Sequence, residues 1–168
     1  MRYKYCPECG EKLGKRTVGD EGELPYCEKC NRPWFDTFSS CVLSVAVNED
    51  NEVLLIRQSY GDTSRFVGVA GFMKCGESAE SAAVREIKEE TGLECDNVRF
   101  IKSIFYDGRD QLMLGFLTKV RKAELNISSE VSEGRWFDID TAINTVRQGS
   151  IIQELIINAK DMLNENCR

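Results

Sequence analysis

Apolar and polar positions change rhythm several times along this chain, and each change marks an element. The first thirty residues have almost no rhythm. Between Cys6 and Cys30 the aliphatic residues are Leu13, Val18 and Leu24, set among glycines and charges. Such a segment cannot bury a core and needs a staple. "NRPWFDTFSS", residues 31–40, reads as a connector with aromatic content. The pattern then becomes that of a hairpin: Val42 to Val47, a polar turn at Asn48 to Asn51, and Val53 to Arg57. "SRFVGVAG" gives a further short strand that stops at a glycine. From Ser78 to Thr91 the spacing is helical, with Ser78 as N-cap, Glu80 at the positive end of the helix dipole and Gly92 as the residue after the last turn. "DNVRFIKSIFYD" and "DQLMLGFLTKV" predict two long strands joined by a Gly-Arg turn, and "EGRWFDI" a short one. "DTAINTVRQ" and "SIIQELIINAKDMLNEN" predict closing helices, the second with Ile151, Leu155, Ile156 and Met162 near helical spacing and Ser150 as its cap. Strands, helix, strands and helices in this order predict an α/β layered sandwich over residues 36–168, preceded by a small ribbon over residues 1–35.

Composition narrows the chemistry. Of 168 residues, 42% are apolar and 30% charged, which is globular rather than disordered. The apolar runs are too short to span a bilayer, so no membrane association is expected. The opening "MRYKYCPECG" has no apolar signal core, and a cytoplasmic location is the simplest expectation. The net charge is −6 and there is no histidine. An acidic chain is not expected to hold nucleic acid by counterion release. An anionic substrate would need a bridging cation or a local basic patch, and the ribbon is not one: Lys12, Lys15 and Arg16 face Glu8, Glu11, Asp20, Glu21 and Glu23. Carboxylates, thiolates, lysines and tyrosines are left to do chemistry.

Four of the eight cysteines form two tight pairs, Cys6-x-x-Cys9 and Cys27-x-x-Cys30, with 17 residues between them. Each pair can aim two sulfurs at one point, and two such knuckles complete the closed tetrahedron of a structural zinc site. Two disulfides, or four reduced thiols, are the alternatives. Gly10 and Asn31, which follow the pairs, both tolerate the positive φ that a tight knuckle tends to require. Cys41, Cys75, Cys95 and Cys167 are scattered and read as small apolar residues.

The unusual feature of the first long helix is its acidity. Glu86, Glu89 and Glu90 fall within roughly 100° of one face, with Arg85 at its edge and Ala83, Val84 and Ile87 as an apolar seam beside it. The seam is expected to dock on a sheet and the acidic side to point into a cleft. Like charges at this spacing repel. Mg²⁺ among them would offset the repulsion, since it takes oxygen ligands and keeps positions for water and phosphate. A plain solvated face is the other reading of the helix alone.

The flanks decide between the two. Gly71, then Glu77, then Arg85-Glu86-Ile87-x-Glu89-Glu90-x-Gly92-Leu93 fill every specified position of the Nudix box. The chain resembles the Nudix hydrolase family. The resemblance implies an α/β/α sandwich with a mixed sheet and cleavage of nucleoside diphosphates linked to another moiety, with Mg²⁺ or Mn²⁺ as catalytic cofactor. By position, it implies that Glu86 and Glu90 are metal ligands and that Glu89 is a ligand or activates water. Arg85 would orient the carboxylates, Glu77 would brace the loop, and the Ala70 carbonyl would be a further ligand. A downstream glutamate completes such a site: Glu130 is the first choice and Glu133 the second.

The ribbon directly before the box resembles the zinc-ribbon branch typified by NADH pyrophosphatase, over Cys6 to about Trp136. The Ser-Gln-Pro-Trp-Pro-Phe-Pro signature of that branch is replaced here by "SIFYDGRDQLMLGF", Ser103 to Phe116. Candidate substrate contacts are Phe105 and Tyr106 for a base, Arg109 for a phosphate, and Phe35 and Phe72, although aromatic residues in strands are also ordinary core. Trp34 and Phe35 can equally pack the ribbon. The expected activity is Mg²⁺-dependent hydrolysis of an NADH, NAD or ADP-ribose-like compound to a nucleoside monophosphate. Nucleoside triphosphate hydrolysis and a non-catalytic nucleotide sensor are the alternatives. The expected partner is a small nucleotide, and the branch implies a homodimer.

Overall fold

The computed structural model describes residues 3–165. The chain divides into two compact units. One closes at Ser39 and also takes in Asp107–Asp110; the other runs from Ser40 to Tyr106 and resumes at Gln111.

The first unit is a three-stranded antiparallel sheet of β1 (Gly14–Thr17), β2 (Glu23–Cys27) and β3 (Arg32–Pro33), in that order. Its buried residues are Cys6, Tyr26 and Cys27, which is too little for an apolar core. Cations on rings supplement it: the Arg16 guanidinium sits 3.9 Å over Tyr26 and that of Arg32 lies 4.7 Å over Trp34. Gly10 and Asn31 adopt φ of 73° and 53°, as the knuckle reading requires.

The second unit contains β4 (Ser39–Val47), β5 (Glu52–Gln58), β6 (Val69–Phe72), α1 (Ala79–Thr91), β7 (Cys95–Tyr106), β8 (Gln111–Val120), β9 (Val131–Asp138), α2 (Ile139–Thr145) and α3 (Ile151–Glu165). The sheet order is β7-β8-β4-β5-β9, with β6 also paired to β4. Strand β4 serves two partners on one side. Cys41–Ser44 pair with Phe72–Val69, and Ala46–Val47 pair with Leu54–Val53. These pairings are antiparallel. On its other side, Gln111 Nε2 donates to Cys41 Sγ and Thr118 Oγ1 donates to the Val45 carbonyl, contacts that advance together along both strands. Strand β8 therefore runs parallel to β4, and the sheet is mixed.

Alternation along the strands builds the sandwich. Leu43, Val45, Val47, Val53, Leu55 and Leu117 pack with Ala142, Ile152, Leu155 and Ile156 of α2 and α3. Their neighbours Ala46, Leu54 and Ile56 pack with Ile87 of α1, while Val42 and Phe116 pack with Ala82 and Ala83. Helix α1 thus covers one face and α2 with α3 the other. Among the described residues no helix is long and apolar enough to cross a membrane. Cys167 and the expected extension of the last helix beyond Glu165 lie outside the described residues.

One expectation about α1 is corrected. Val84 is exposed and does not belong to the seam; Ala82, Ala83, Glu86, Ile87, Glu90 and Thr91 form the buried stripe. Two of the three glutamates therefore lie on the docking side rather than opposite it.

Candidate functional site

The helix that carries these acids is fixed at both ends. Ser78 Oγ accepts from the Ser81 N–H at 3.1 Å, and Gly92 takes the left-handed conformation while its N–H reaches the Lys88 carbonyl. The loop before it is held by Arg85. The guanidinium forks onto Glu77, with Nε to Oε2 at 3.0 Å and Nη2 to Oε1 at 2.7 Å. Its Nη2 also donates to the Phe72 carbonyl at 3.1 Å, and Nη1 donates to Glu86 at 2.5 Å and Glu89 at 3.0 Å. The Lys74 N–H donates to Glu77 as well. Arg85 and this N–H hold the Glu77 carboxyl down at about 2. Arg85 therefore places four groups of the loop and helix relative to one another, using the planar fork that lysine lacks.

Gly71 has a steric reason. A Cβ there would lie 1.9 Å from Glu86 Cδ, so the glycine is the space the carboxylate occupies. Glu86 and Glu90 are 9% and 5% exposed. Burial pushes the Glu90 carboxyl up to about 8, assisted by the charges of Glu86, Glu130 and Glu89. Glu90 Oε2 is buried without a hydrogen-bond partner. The loop after β8 brings Glu130 to this place: the Asn126 N–H donates to the Thr91 carbonyl and the Ser128 N–H to the Glu90 carbonyl, which folds the loop over the C-terminal turn of α1. The Glu130 carbonyl in turn accepts from the Ser59 N–H at 2.8 Å.

Of the two downstream candidates, Glu130 is thus the one the loop carries toward Glu90. Glu133 is engaged by Arg57 at 3.1 Å and Arg135 at 2.5 Å. Glu89 differs from its two neighbours in being half exposed, with Arg85 on one oxygen and Lys74 Nζ 3.4 Å from the other. Ala70 lies in β6, one residue before Gly71. Phe72 is exposed on the same strand. Two residues escaped the reading of the sequence. The Tyr60 hydroxyl is raised by burial and by the charges of Glu130, Glu90 and Glu86, which sets it beside the acids. Lys74 is the other. Neither stands in a spacing that marks it, since each is brought to the acids by the path of a loop.

A buried carboxylate oxygen without a donor, surrounded by the charges of other carboxylates, fits a hard divalent cation. Glu86, Glu90 and Glu130 are the candidate side chains, although their carboxylate oxygens, unlike the cysteine sulfurs, do not all lie within 4.8 Å of one another.

The cysteines form a second cluster, within the first unit. The four sulfurs lie within 4.8 Å of one another. Cys6 and Cys30 are 3.8 Å apart and Cys9 and Cys27 3.6 Å apart, far beyond a disulfide and close to the roughly 3.8 Å edge of a zinc–thiolate tetrahedron. Burial pushes the Cys6 thiol up, but the N–H groups of Cys9 and Glu8 outweigh it and bring it to about 7. Contact with Cys9, together with burial, drives Cys30 upward. Without a cation the four thiols cannot all ionise. The arrangement fits zinc, and no ligand position is left for water.

A family model for the Nudix domain matches residues 38–155, from the start of β4 into α3. The chain belongs to the Nudix family. Its relatives include the NAD-capped RNA hydrolase NudC of Vibrio atlanticus, 30% identical over 159 residues that cover 94% of this chain and 58% of that protein. The NAD-capped RNA hydrolase NPY1 of Saccharomyces cerevisiae is also 30% identical, over 86% of this chain and 43% of that protein. The chain therefore spans about half the length of these two relatives. A Nudix hydrolase structure from Nitrosomonas europaea superposes with a TM-score of 0.74 at 22% identity, covering 92% of this chain and 88% of that one. The Nudix domain of Shewanella oneidensis NrtR, solved with ADP ribose, gives 0.66 at 18% identity over 82% and 94% of the two chains. These structures share the fold.

In this Nudix domain a cavity of about 530 Å³ opens on the α3 side of the sheet. Its lining includes Phe105, Tyr106, Gln58, Ala70, Ile152 and Arg147. Phe105 and Tyr106 are each 45% exposed. Ala70 belongs both to the cavity wall and to β6, the strand that leads into the box. Arg109 is not part of this lining. It lies in the short 3₁₀ turn Asp107–Arg109, which clusters with the first unit, as does the exposed Phe35.

Proposed function

We propose that this chain is a divalent-cation-dependent pyrophosphohydrolase that splits the diphosphate bridge of an NADH, NAD or ADP-ribose-like compound and releases a nucleoside monophosphate. The observation that carries the reading is Glu90: a buried carboxyl, raised to about 8, whose Oε2 has no donor and whose neighbours are acids. A chain gains nothing structural from such a group. A bound cation would satisfy it.

In this reading Glu86, Glu90 and Glu130, with the Ala70 carbonyl, hold Mg²⁺ or Mn²⁺. Bound there, the cation supplies charge neutralisation of the diphosphate and acidifies a water. Arg85 fixes the angle between Glu86 and Glu89 through one guanidinium nitrogen. Glu89, the exposed acid, accepts the proton of the attacking water. Glu77 braces the loop through Arg85. One half of the substrate enters the cavity, where Phe105 and Tyr106 offer stacking faces, and Phe72 is a further contact. Cys6, Cys9, Cys27 and Cys30 hold a structural Zn²⁺. The capped-RNA activity in the relatives' names belongs to those proteins; here the net charge of −6 favours a free small nucleotide. A cytoplasmic homodimer completes the proposal.

The test is a substrate panel of NADH, NAD, ADP-ribose, diadenosine compounds and nucleoside triphosphates with Mg²⁺ or Mn²⁺, read by product identity. AMP from a dinucleotide or from ADP-ribose is the expected result, lost in Glu89→Gln with an unchanged circular dichroism spectrum. Cleavage confined to triphosphates replaces the substrate class. Tight nucleotide binding with no turnover replaces the enzyme by a sensor. Light scattering of the purified chain decides the dimer.

A further inference from the structure

The cavity contains one charged residue, and its placement is specific. No carboxylate lines the space, and Arg147 is the single cation among the lining residues. Arg147 makes no ion pair among the described residues, and two acids on the adjoining helices pair elsewhere, Asp140 with Lys160 and Glu154 with Lys102. The backbone that carries it is anchored. The Ser150 N–H and hydroxyl both donate to the Arg147 carbonyl. The Gln153 side chain accepts from the Gly149 N–H at 2.8 Å and donates to the Ile143 carbonyl at 3.0 Å and to Gln148 at 2.7 Å. Just before it, Val146 is buried and its N–H reaches the Ala142 carbonyl. Arg147 itself is exposed, and its guanidinium, on the lining of an aromatic-walled, acid-free space, is a receptor for an oxyanion.

We infer that the cavity selects substrates whose enclosed half carries an oxyanion, a carboxylate on the ring or a phosphate on the ribose, and that Arg147 makes the selection. This rests on the proposed hydrolysis of a diphosphate-linked compound, and it goes beyond it in naming the substituent that is read. The diphosphate bridge is common to all such compounds and belongs to the cation. Arg147 would discriminate among them, because a pocket of Phe105, Tyr106 and aliphatic side chains holds neutral and charged rings alike.

Matched pairs test this. NAD is compared with its nicotinate counterpart, and NADH with its 2′-phosphorylated counterpart, in wild type, Arg147→Gln and Arg147→Lys. In wild type the anionic member of at least one pair is favoured about tenfold in kcat/KM, mostly through KM, as befits one charge-assisted contact. The pair that shows the preference identifies the oxyanion. Arg147→Gln brings the ratio to near one, and Arg147→Lys keeps part of it. Equal ratios in wild type, or a preference that survives Arg147→Gln, overturns the inference. Calorimetric binding of the same pairs gives the ratio without turnover. A protein that binds with the predicted preference yet hydrolyses nothing therefore refutes the proposed reaction and leaves the role of Arg147 standing.

Discussion

The two clusters of like side chains in this molecule are built in opposite ways. The cysteine cluster comes from two short knuckles, each with its thiols three residues apart, and its four sulfurs lie within 4.8 Å of one another. The glutamate cluster draws Glu86 and Glu90 from one helix and Glu130 from a distant loop, and it leaves an oxygen of Glu90 without a partner. Thiolates alone saturate a tetrahedral ion and make it a staple. Carboxylates that only partly surround a hard ion leave room for water and phosphate, which is what hydrolysis needs. The contrast teaches that crowding like charges is not itself a sign of catalysis. What matters is whether the crowd is complete.

The largest expected effect breaks the comparison on the thiolate side. Chelation of zinc, or Cys27→Ser, removes a metal contribution on the order of 10 kcal/mol from a unit with almost no apolar core. Amide signals of β1, β2 and β3 should collapse before those of the main sheet, as read by two-dimensional NMR during a chelator titration. Retained order there would reduce the cluster to four thiols.

On the carboxylate side, Glu90→Gln should lower turnover on the order of a thousandfold while leaving the metal-free protein more stable. The sign follows from linkage. Burial raises Glu90 from an ordinary value near 4.5 to about 8, so the folded state binds more protons between those limits. The stability of the metal-free protein should therefore fall as pH rises from about 4.5 to about 8, and the Gln variant should not show that loss. Thermal melts against pH, with and without Mg²⁺, measure both. A Glu90→Gln protein that melts lower than wild type at pH 8 without metal would mean the group is structural.

Gly71→Ala sharpens the same side more gently. The added methyl meets the Glu86 carboxylate, so the acid must move, at a cost of about 2 kcal/mol in stability and roughly tenfold in cation affinity. Chemical denaturation and calorimetric titration of Mn²⁺ check the two figures. Smallest is a paired test of the downstream acid. Glu130→Gln should weaken Mn²⁺ binding about tenfold. Glu133→Gln, whose partners are Arg57 and Arg135, should leave that affinity unchanged and shift stability by about 0.5 kcal/mol at most.

Much of this was legible in the residues. The hairpin, the succession of strands and helices along the chain and the caps of α1 follow from local rules, since Ser78 and Gly92 act within one turn of their own positions. The cysteine knuckles are legible for the same reason. The face of α1 was read less well: helical spacing groups Glu86, Glu89 and Glu90 together, yet it does not say which side the sheet covers. Burial of Glu86 and Glu90 with exposure of Val84 depends on where β6 and β8 lie. Phe105, Tyr106 and Arg109 were grouped by proximity in sequence, and the end of β7 separates them, leaving the first two on the cavity and the third on the turn.

The sequence alone determined the ligand types, the spacing of the box and of the cysteine pairs, and the elements that carry them, because these rest on interactions between residues a few positions apart. Only the tertiary structure decided that the charge of Glu130 bears on Glu90 while Glu133 pairs with Arg57 and Arg135, that Gly71 makes room for Glu86, and that Arg147 lines the cavity. Each of these depends on the path of a loop across more than forty residues of chain or on the packing of two elements face to face, and no local propensity encodes either.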